Sequence, residues 1–274
     1  MLLSKRGASI LAVVSEAVVF MKIKRIHIFL AFLMLVICAI PFRANIRRPV
    51  VAVIQMLRGK MTVADRVQQF GSVVQERLTS EFKRIGVAYP PDTMVLVGLK
   101  QENLLEVWVS DPPKLLKSYP ILAASGTLGP KLMEGDMQVP EGIYRIESLY
   151  PNSMYHLSLR VNYPNRFDKA KGRIDGRSEL GSDIMIHGKA VSIGCLAMGD
   201  KAAEDLFVLA AQTGIDNISV ILSPVDFRSR GLPAQMPQIP DWTPELYDLI
   251  RKELKKLEKT TDESRVFRTS TRKT

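Results

Sequence analysis

A histidine and a cysteine stand close together in the stretch Ile184-Met-Ile-His-Gly-Lys-Ala-Val-Ser-Ile-Gly-Cys-Leu-Ala-Met198. A thiol becomes a nucleophile when a base lies within hydrogen-bond reach and something holds that base in place. His187 can take the thiol proton of Cys195 and keep a thiolate ready near neutral pH. Gly188 frees the backbone behind the histidine. Gly194 lets the chain approach a substrate closely, and the amides around Gly194 and Cys195 can face a developing oxyanion. Ser192 offers a hydroxyl or a carbonyl to orient the imidazole. The same spacing also suits a small thiol packed after a glycine as an apolar group. A metal centre is a poor fit. Only His187 and Cys195, with His156 at most, supply nitrogen or sulfur, and zinc takes three or four ligands. No metal and no cofactor are expected.

The elements that must position these residues follow from periodicity. Residues 183–186 read as a short apolar strand that delivers His187 at its end. Residues 200–213 read as a helix after the cysteine, with Asp200 as cap and Gly214 as stop. Earlier, Val63, Val67, Phe70, Val74, Leu78, Phe82 and Ile85 recur at three- and four-residue steps, which predicts an amphipathic helix over 62–85. From Met94 the period becomes two. Strands are expected at 94–99, 104–110, 118–125, 139–146, 155–161 and 218–222. Residues 126–138 read as a glycine-rich loop and 162–182 as a long surface loop, of the kind that often carries function. Residues 224–240 are a proline-rich connector. A basic helix over 243–258 follows, then a disordered tail from 260.

Apolar residues make up 46% and charged residues 24% of the 274 positions, which is ordinary for a folded domain. The formal charge of +10 suits an acidic polymer or a membrane surface. No nucleic-acid module is visible, so nucleic acid is not an expected partner. Lys22, Lys24 and Arg25 precede an apolar run over 26–40, which reads as the basic and apolar regions of an export signal. That run is shorter than the ~20 residues of a membrane span. Arg43, Arg47 and Arg48 follow it and resist translocation, so cleaved signal and uncleaved signal-anchor both stay open. Met21 opens a more typical signal than Met1. Of the two cysteines, Cys38 lies inside this run, leaving Cys195 as the one thiol of the folded body. A lone thiol in an oxidising compartment needs a reason to be there.

The pair His187-Gly188 followed by Ser192-Ile193-Gly194-Cys195 resembles the signature of the L,D-transpeptidase (YkuD) catalytic domain. Gln138-Val-Pro-Glu-Gly-Ile-Tyr144 is similar to that family's strand with proline and glycine two apart. Tyr155-His-Leu-Ser-Leu and Asn162-Tyr-Pro-Asn165 resemble its YafK-like branch, as does Ile193 to Met198. The resemblance covers about residues 93–227. Ile193 replaces the usual histidine, and Leu196, Ala197 and Met198 replace the usual polar or basic residue after the cysteine.

The resemblance implies a mainly β (α+β) fold, a β-sandwich or barrel with a helix after the catalytic cysteine. It implies an enzyme with Cys195, His187, Gly194 and Ser192 in catalysis and Gly188, His156 and Ile193 on the substrate. The substrates implied are diaminopimelate-containing peptidoglycan stem peptides, transferred or hydrolysed through a thioester. A wall-anchored lipoprotein is a further implied partner, the membrane is met through residues 26–40, and the location is the periplasm or cell envelope. The expected organisation is an export segment at 1–45, a helical brace or linker at 46–88, a catalytic domain at 89–228, and a connector, basic helix and tail at 229–274. The alternative is a non-catalytic peptidoglycan-binding or scaffold protein on the same fold. It has little reason to keep an exposed thiol.

Overall fold

The computed structural model describes residues 59–270, with side chains to Leu257. The export segment, Cys38 and the last four residues lie outside the described residues. Among the described residues, no helix is long and apolar enough to cross a membrane.

Helix α1 (Val63–Ile85) opens the folded body. Thr62 caps it by accepting from the Asp65 amide, while the Asp65 carboxylate accepts from the Thr62 amide. Gly86, in the left-handed region, ends it. Strands β1 (Met94–Leu99), β2 (Leu104–Val109) and β3 (Lys114–Pro120) form an antiparallel meander, and β4 (Ala123–Ala124) follows. Then come β5 (Gly142–Ser153), β6 (His156–Val161), α2 (Arg166–Ile174), β7 (Met185–His187), β8 (Leu196–Ala197), α3 (Asp200–Thr213), β9 (Ile218–Ser223) and α4 (Thr243–Ser270). The strands make one mixed sheet, a half-barrel, in the order β3-β2-β1-β9-β5-β6-β7-β8-β4. The fold is α+β with the sheet dominant, as the sequence implied.

Strand β5 joins the two halves of this sheet. Gly142 to Arg145 pair with β9, and from Ile146 onward β5 pairs with β6. Within the β5–β6 pairing the register shifts between Ile146 and Ser148 and again between Tyr150 and Ser153, irregularities of the kind that bend a strand. The near-continuous apolar run of β1 is explained by burial on both faces. Met94 and Leu96 pack with α1 and α3, whereas Val97 and Leu99 pack under Leu246, Tyr247, Ile250 and Leu254 of α4.

Several boundaries differ from the sequence reading, and the last helix runs on to Ser270, through residues 260–270 that were expected to be disordered. The third strand starts at Lys114, because the turn after β2 returns the chain four residues sooner than the periodicity suggested. The expected surface loop at 162–182 contains α2, whose N-cap Asn165 accepts from the Phe167 and Asp168 amides. Asn165 and Asp168 form a capping box, a signal overlooked beneath the polar composition. Helix α3 is preceded by Gly199 and has no side-chain cap, so Asp200 is its first residue and not its cap. The Asp200 carboxylate instead accepts from the Lys189 amide at 2.8 Å.

One buried ion pair ties the sheet to the loop before β5. Lys100 Nζ lies 2.9 Å from Glu141 Oε1 and also donates to the Gly129 and Val139 carbonyls, each at 3.0 Å. Glu141 further accepts from the Gly129 amide at 2.7 Å and from the Tyr247 hydroxyl at 2.8 Å. Removing one partner leaves the other charge buried and uncompensated, which costs about 3–5 kcal/mol. Glu141→Gln is therefore expected to lower stability by about that amount, and Tyr247→Phe by about 1.5–3 kcal/mol. Urea unfolding of the two variants checks this; equal midpoints for Glu141→Gln and the parent would refute it.

Candidate active site

Strand β7 sits between β6 and β8, and its last residue is His187. The pairing of β7 with β8 is parallel, with Ile186 opposite Leu196 and His187 opposite Ala197. Parallel neighbours ordinarily need a crossover of a dozen or more residues. Here only residues 188–195 separate the two strands, so the loop must double back tightly. The return is sealed by the Met198 amide on the His187 carbonyl, 2.8 Å, and the Gly199 amide on the Lys189 carbonyl, 2.8 Å. Continuing the register sets Cys195 beside Met185, one strand across from His187 and two residues back. The structure is thus strand-loop-strand-helix, with β8 interposed between the cysteine and α3.

The His187 side chain is buried, 2% exposed. Its Nδ1 is 2.6 Å from the Gly188 carbonyl. A carbonyl only accepts, so Nδ1 carries the proton and Nε2 keeps its lone pair for use as a base. The ring also packs against Tyr155, centroid to centroid 4.7 Å. Burial holds the imidazole below the ordinary histidine range, and the bond to Gly188 opposes this only in part. The ring is therefore neutral at neutral pH. Gly188, and not Ser192, orients it.

The Cys195 thiol donates to the Asp183 carbonyl at 3.6 Å and accepts from the Met185 amide at 3.4 Å. Among the described residues, no hydrogen bond joins it to His187. Burial pushes the thiol above the ordinary cysteine range; the Met185 N–H pulls the other way, the Asp183 charge adds to the rise, and Lys131 opposes it. The acidic thiol that the sequence suggested is thus corrected: the resting pair is a neutral thiol and a neutral imidazole.

Ser192 closes the cysteine loop on itself. Its hydroxyl donates to the Cys195 carbonyl at 2.5 Å and accepts from the Cys195 amide at 3.0 Å. The Gly194 amide donates to the Ser125 hydroxyl at 2.6 Å, and that hydroxyl donates to the Met137 carbonyl at 2.7 Å. Both amides expected at an oxyanion are therefore engaged by serine hydroxyls. Gly194 has φ 86°, a conformation that a β-carbon strains. Gly188 is needed for a different reason: a β-carbon there would sit 2.6 Å from Asp200 Oδ1 and 2.8 Å from the Tyr155 carbonyl.

The remaining sequence candidates divide. Ile193 is 74% exposed at the tip of the cysteine loop, free to meet a ligand. His156 turns its ring away from the thiol: Nε2 is 3.1 Å from Glu204 on α3, and the ring packs edge-on against Phe70 of α1. Ser125, Tyr155 and Asp183 are neighbours of the site that spacing along the chain did not single out. Tyr155 alone lay in a run already quoted for its resemblance. Among the described residues, no cluster of three or more His, Cys, Asp or Glu side chains is arranged to hold a metal.

Residues 92–221 match the L,D-transpeptidase catalytic domain (YkuD), a range that contains the whole of this site. Over 112 residues the chain is 38% identical to "Putative L,D-transpeptidase YafK" of Escherichia coli K12, covering 39% of this chain and 43% of that one. The chain thus spans less than half the length of the curated relative it matches. Among solved structures it is similar to the helical cell shape determining protein Pgp2 of Campylobacter jejuni, with 22% identity and a TM-score of 0.42, covering 52% and 50% of the two chains. It is also similar to Bd1075 of Bdellovibrio bacteriovorus, with 20% identity and a TM-score of 0.36, covering 62% and 55%.

The protonation states give a direct expectation. Alkylation of Cys195 by iodoacetamide in the free protein should be slow at neutral pH and climb only through the alkaline range, since only the thiolate reacts. Peptide mass mapping separates Cys195 from Cys38. A fast, flat rate from mildly acidic to neutral pH would show a preformed thiolate and refute the assignment.

Proposed function

We propose, from the premise that residues 92–221 belong to the L,D-transpeptidase catalytic domain family, that Cys195 is a nucleophile for acyl transfer on peptidoglycan stem peptides and His187 is its base. The observation that carries this reading is the tautomer of His187. A buried imidazole fixed at Nδ1 by Gly188, with Nε2 free, lies one strand from the lone described thiol.

In the proposed reaction, His187 Nε2 takes the Sγ proton as Sγ attacks the carbonyl carbon of the donor amide. The carbonyl oxygen becomes an oxyanion. The Gly194 and Cys195 amides would receive it by giving up the Ser125 and Ser192 hydroxyls. The C–N bond then breaks, and the leaving amine takes the proton from His187. A thioester to Cys195 remains. An acceptor next gives its proton to Nε2 and attacks the thioester, and the departing sulfur recovers that proton. An amine acceptor yields a cross-link or an attached protein such as a wall lipoprotein; water yields hydrolysis.

The cell envelope is the compartment in which this substrate lies. Export through residues 1–45, with membrane contact through 26–40, is part of the proposal. The lack of a thiol–imidazole hydrogen bond in the free protein favours the rival reading, a peptidoglycan-binding scaffold on the same fold. The two readings separate on Cys195→Ser.

The test is incubation of the full chain with purified peptidoglycan and mass analysis of the muropeptides. The wild type should change the muropeptide pattern. Cys195→Ser should keep the fold and abolish that change. His187→Ala should lower turnover by about a hundredfold or more, as loss of a general base does. Activity surviving in Cys195→Ser would end the mechanism.

A further inference from the structure

The turn between β5 and β6 is held more firmly than a surface hairpin needs. Its residue His156 has φ 74°, a conformation that side chains other than glycine adopt rarely and keep only where their surroundings hold them. Those surroundings come from two helices. His156 Nε2 lies 3.1 Å from Glu204 Oε1 on α3, and its ring meets Phe70 of α1 edge-on at 5.6 Å. At the end of β5, Asn152 accepts from the Met61 amide at 3.0 Å and donates to the Met61 carbonyl at 2.7 Å, just before α1. Arg66 of α1 donates to the Pro151 carbonyl at 2.8 Å. A strained residue held this way points to something that the turn must present.

What it presents is Tyr155. The Tyr155 ring lies against the His187 imidazole, with centroids 4.7 Å apart and planes at 36°. The turn also touches the second restraint on that imidazole. Gly188, whose carbonyl fixes Nδ1, packs so closely on the turn that a β-carbon there would sit 2.8 Å from the Tyr155 carbonyl oxygen and 3.0 Å from His156 Cβ. Lys189 Nζ donates to the Met154 carbonyl at 2.6 Å and lies 5.9 Å from the centre of the Tyr155 ring. The charges nearby are committed elsewhere: Lys189 to that carbonyl, Asp200 to the Lys189 amide, and Glu204 to His156 and to Arg77 at 3.0 Å. Cover by its neighbours, rather than any of these charges, keeps His187 neutral.

We propose that Tyr155 is a positioning residue for the base, its ring covering His187 and fixing the plane in which Nε2 is offered, and that His156 is the clamp that seats it. The proposal rests on reading His187 as the base. Two consecutive residues then divide the work. Tyr155 faces the imidazole, while His156, turned by its positive φ, takes hold of α3 and α1. Gly188 decides which nitrogen carries the proton, but one hydrogen bond leaves the ring free to tilt about it. The Tyr155 ring removes that freedom and shuts water from one face. The base is then dry and uncharged at the pH where a thiol proton must be taken. The histidine that the sequence offered as a substrate contact thus acts on the base through its neighbour.

The experiment uses the full-length protein and follows carbethoxylation of His187 by diethyl pyrocarbonate against pH. Peptide mass mapping separates His187 from His27 and His156. The reagent attacks only the unprotonated imidazole, so the midpoint reports proton affinity and the plateau reports cover. The wild type should give a low plateau, already reached at mildly acidic pH. Tyr155→Ala should raise the plateau about three- to tenfold, the weight of one aromatic pair, and move the midpoint to higher pH, since less burial favours the charged ring. Tyr155→Phe keeps the ring and should match the wild type. Tyr155→Leu keeps apolar bulk, should fold even where Tyr155→Ala does not, and should shift both readings the same way. His156→Asn tolerates the positive φ but loses the ring contact with Phe70, and should shift them likewise. The double variant His156→Asn/Tyr155→Ala should go no further than Tyr155→Ala alone, because the clamp acts through Tyr155. An unchanged profile in Tyr155→Leu or His156→Asn, a shift in Tyr155→Phe, or additive shifts in the double variant would overturn the inference. If the expected shifts appear but the wild type never changes peptidoglycan, the catalytic reading fails and the positioning of His187 stands.

Discussion

The buried pair of Lys100 and Glu141 is the constraint on which the geometry around the thiol depends. Taking either ion out of water costs several kcal/mol, so the pair is tolerable only if every proton and lone pair finds a partner. It does so here. The three ammonium protons of Lys100 face Glu141 and the carbonyls of Gly129 and Val139. The carboxylate of Glu141 is filled by that ammonium, the Gly129 amide and the Tyr247 hydroxyl. The consequence is positional. Both ends of the segment from Gly129 to Val139 are tied to one buried charge. Within that segment the Gln138 amide group binds the Thr127 and Gly129 carbonyls, and Met137 presents its carbonyl to Ser125. Ser125 in turn grips the Gly194 amide. A charge pair on one side of the sheet thereby fixes the loop that carries the cysteine.

The electrostatics of the site run against a ready-made thiolate. Burial raises the thiol and lowers the imidazole, and both shifts favour the uncharged pair. The Gly194 and Cys195 amides are spent on hydroxyls that would have to yield them. In the proposed reaction, then, activation belongs to the complex and not to the free protein. A substrate must exclude water and replace the serine hydroxyls as acceptor. A cysteine held neutral until its substrate arrives is also less open to oxidation, because oxidation follows thiolate character and exposure. This would suit the envelope location proposed for the chain.

Much of this was legible in the sequence because it is local. The helix over 62–85 showed in apolar spacing, and the strand entering His187 showed as a short apolar run. The order of His187, Gly188, Ser192, Gly194 and Cys195 signalled the site, whereas the positive φ of Gly194 came only with the structure. What stayed hidden is non-local or hangs on side-chain direction. Ser192 carries a hydroxyl that could have met either the imidazole or its own turn; only the tight return between β7 and β8 decides for the turn. His156 lies in a strand that borders β7, yet a φ of 74° turns it towards Glu204 and Phe70. Ser125 reaches Gly194 across nearly seventy positions of sequence, a pairing that no periodicity predicts. Helix α2 was hidden for a different reason: its polar composition masked a capping box.

The boundary of the matched domain is not the boundary of the physical unit. The family match ends at residue 221, yet Tyr247, which completes the shell of Glu141, lies beyond it on α4. Without that hydroxyl, one oxygen of a fully buried carboxylate has no donor, and the cost falls on the ion pair that holds the loop before β5. Helix α4 also covers Val97, Leu99 and Ile221, so its removal would expose one whole face of the central strands. Strand β1 is apolar on both faces only because α4 is present, which means that its sequence already encodes a helix nearly 150 residues later. A fragment cut at the end of the matched range would keep His187 and Cys195 in sequence but lose the buried hydroxyl and the apolar cover. The cysteine loop would then be held by an ion pair that is itself unsupported. The basic helix after the connector is therefore a working part of the domain, and the site is built by residues from β1 to α4.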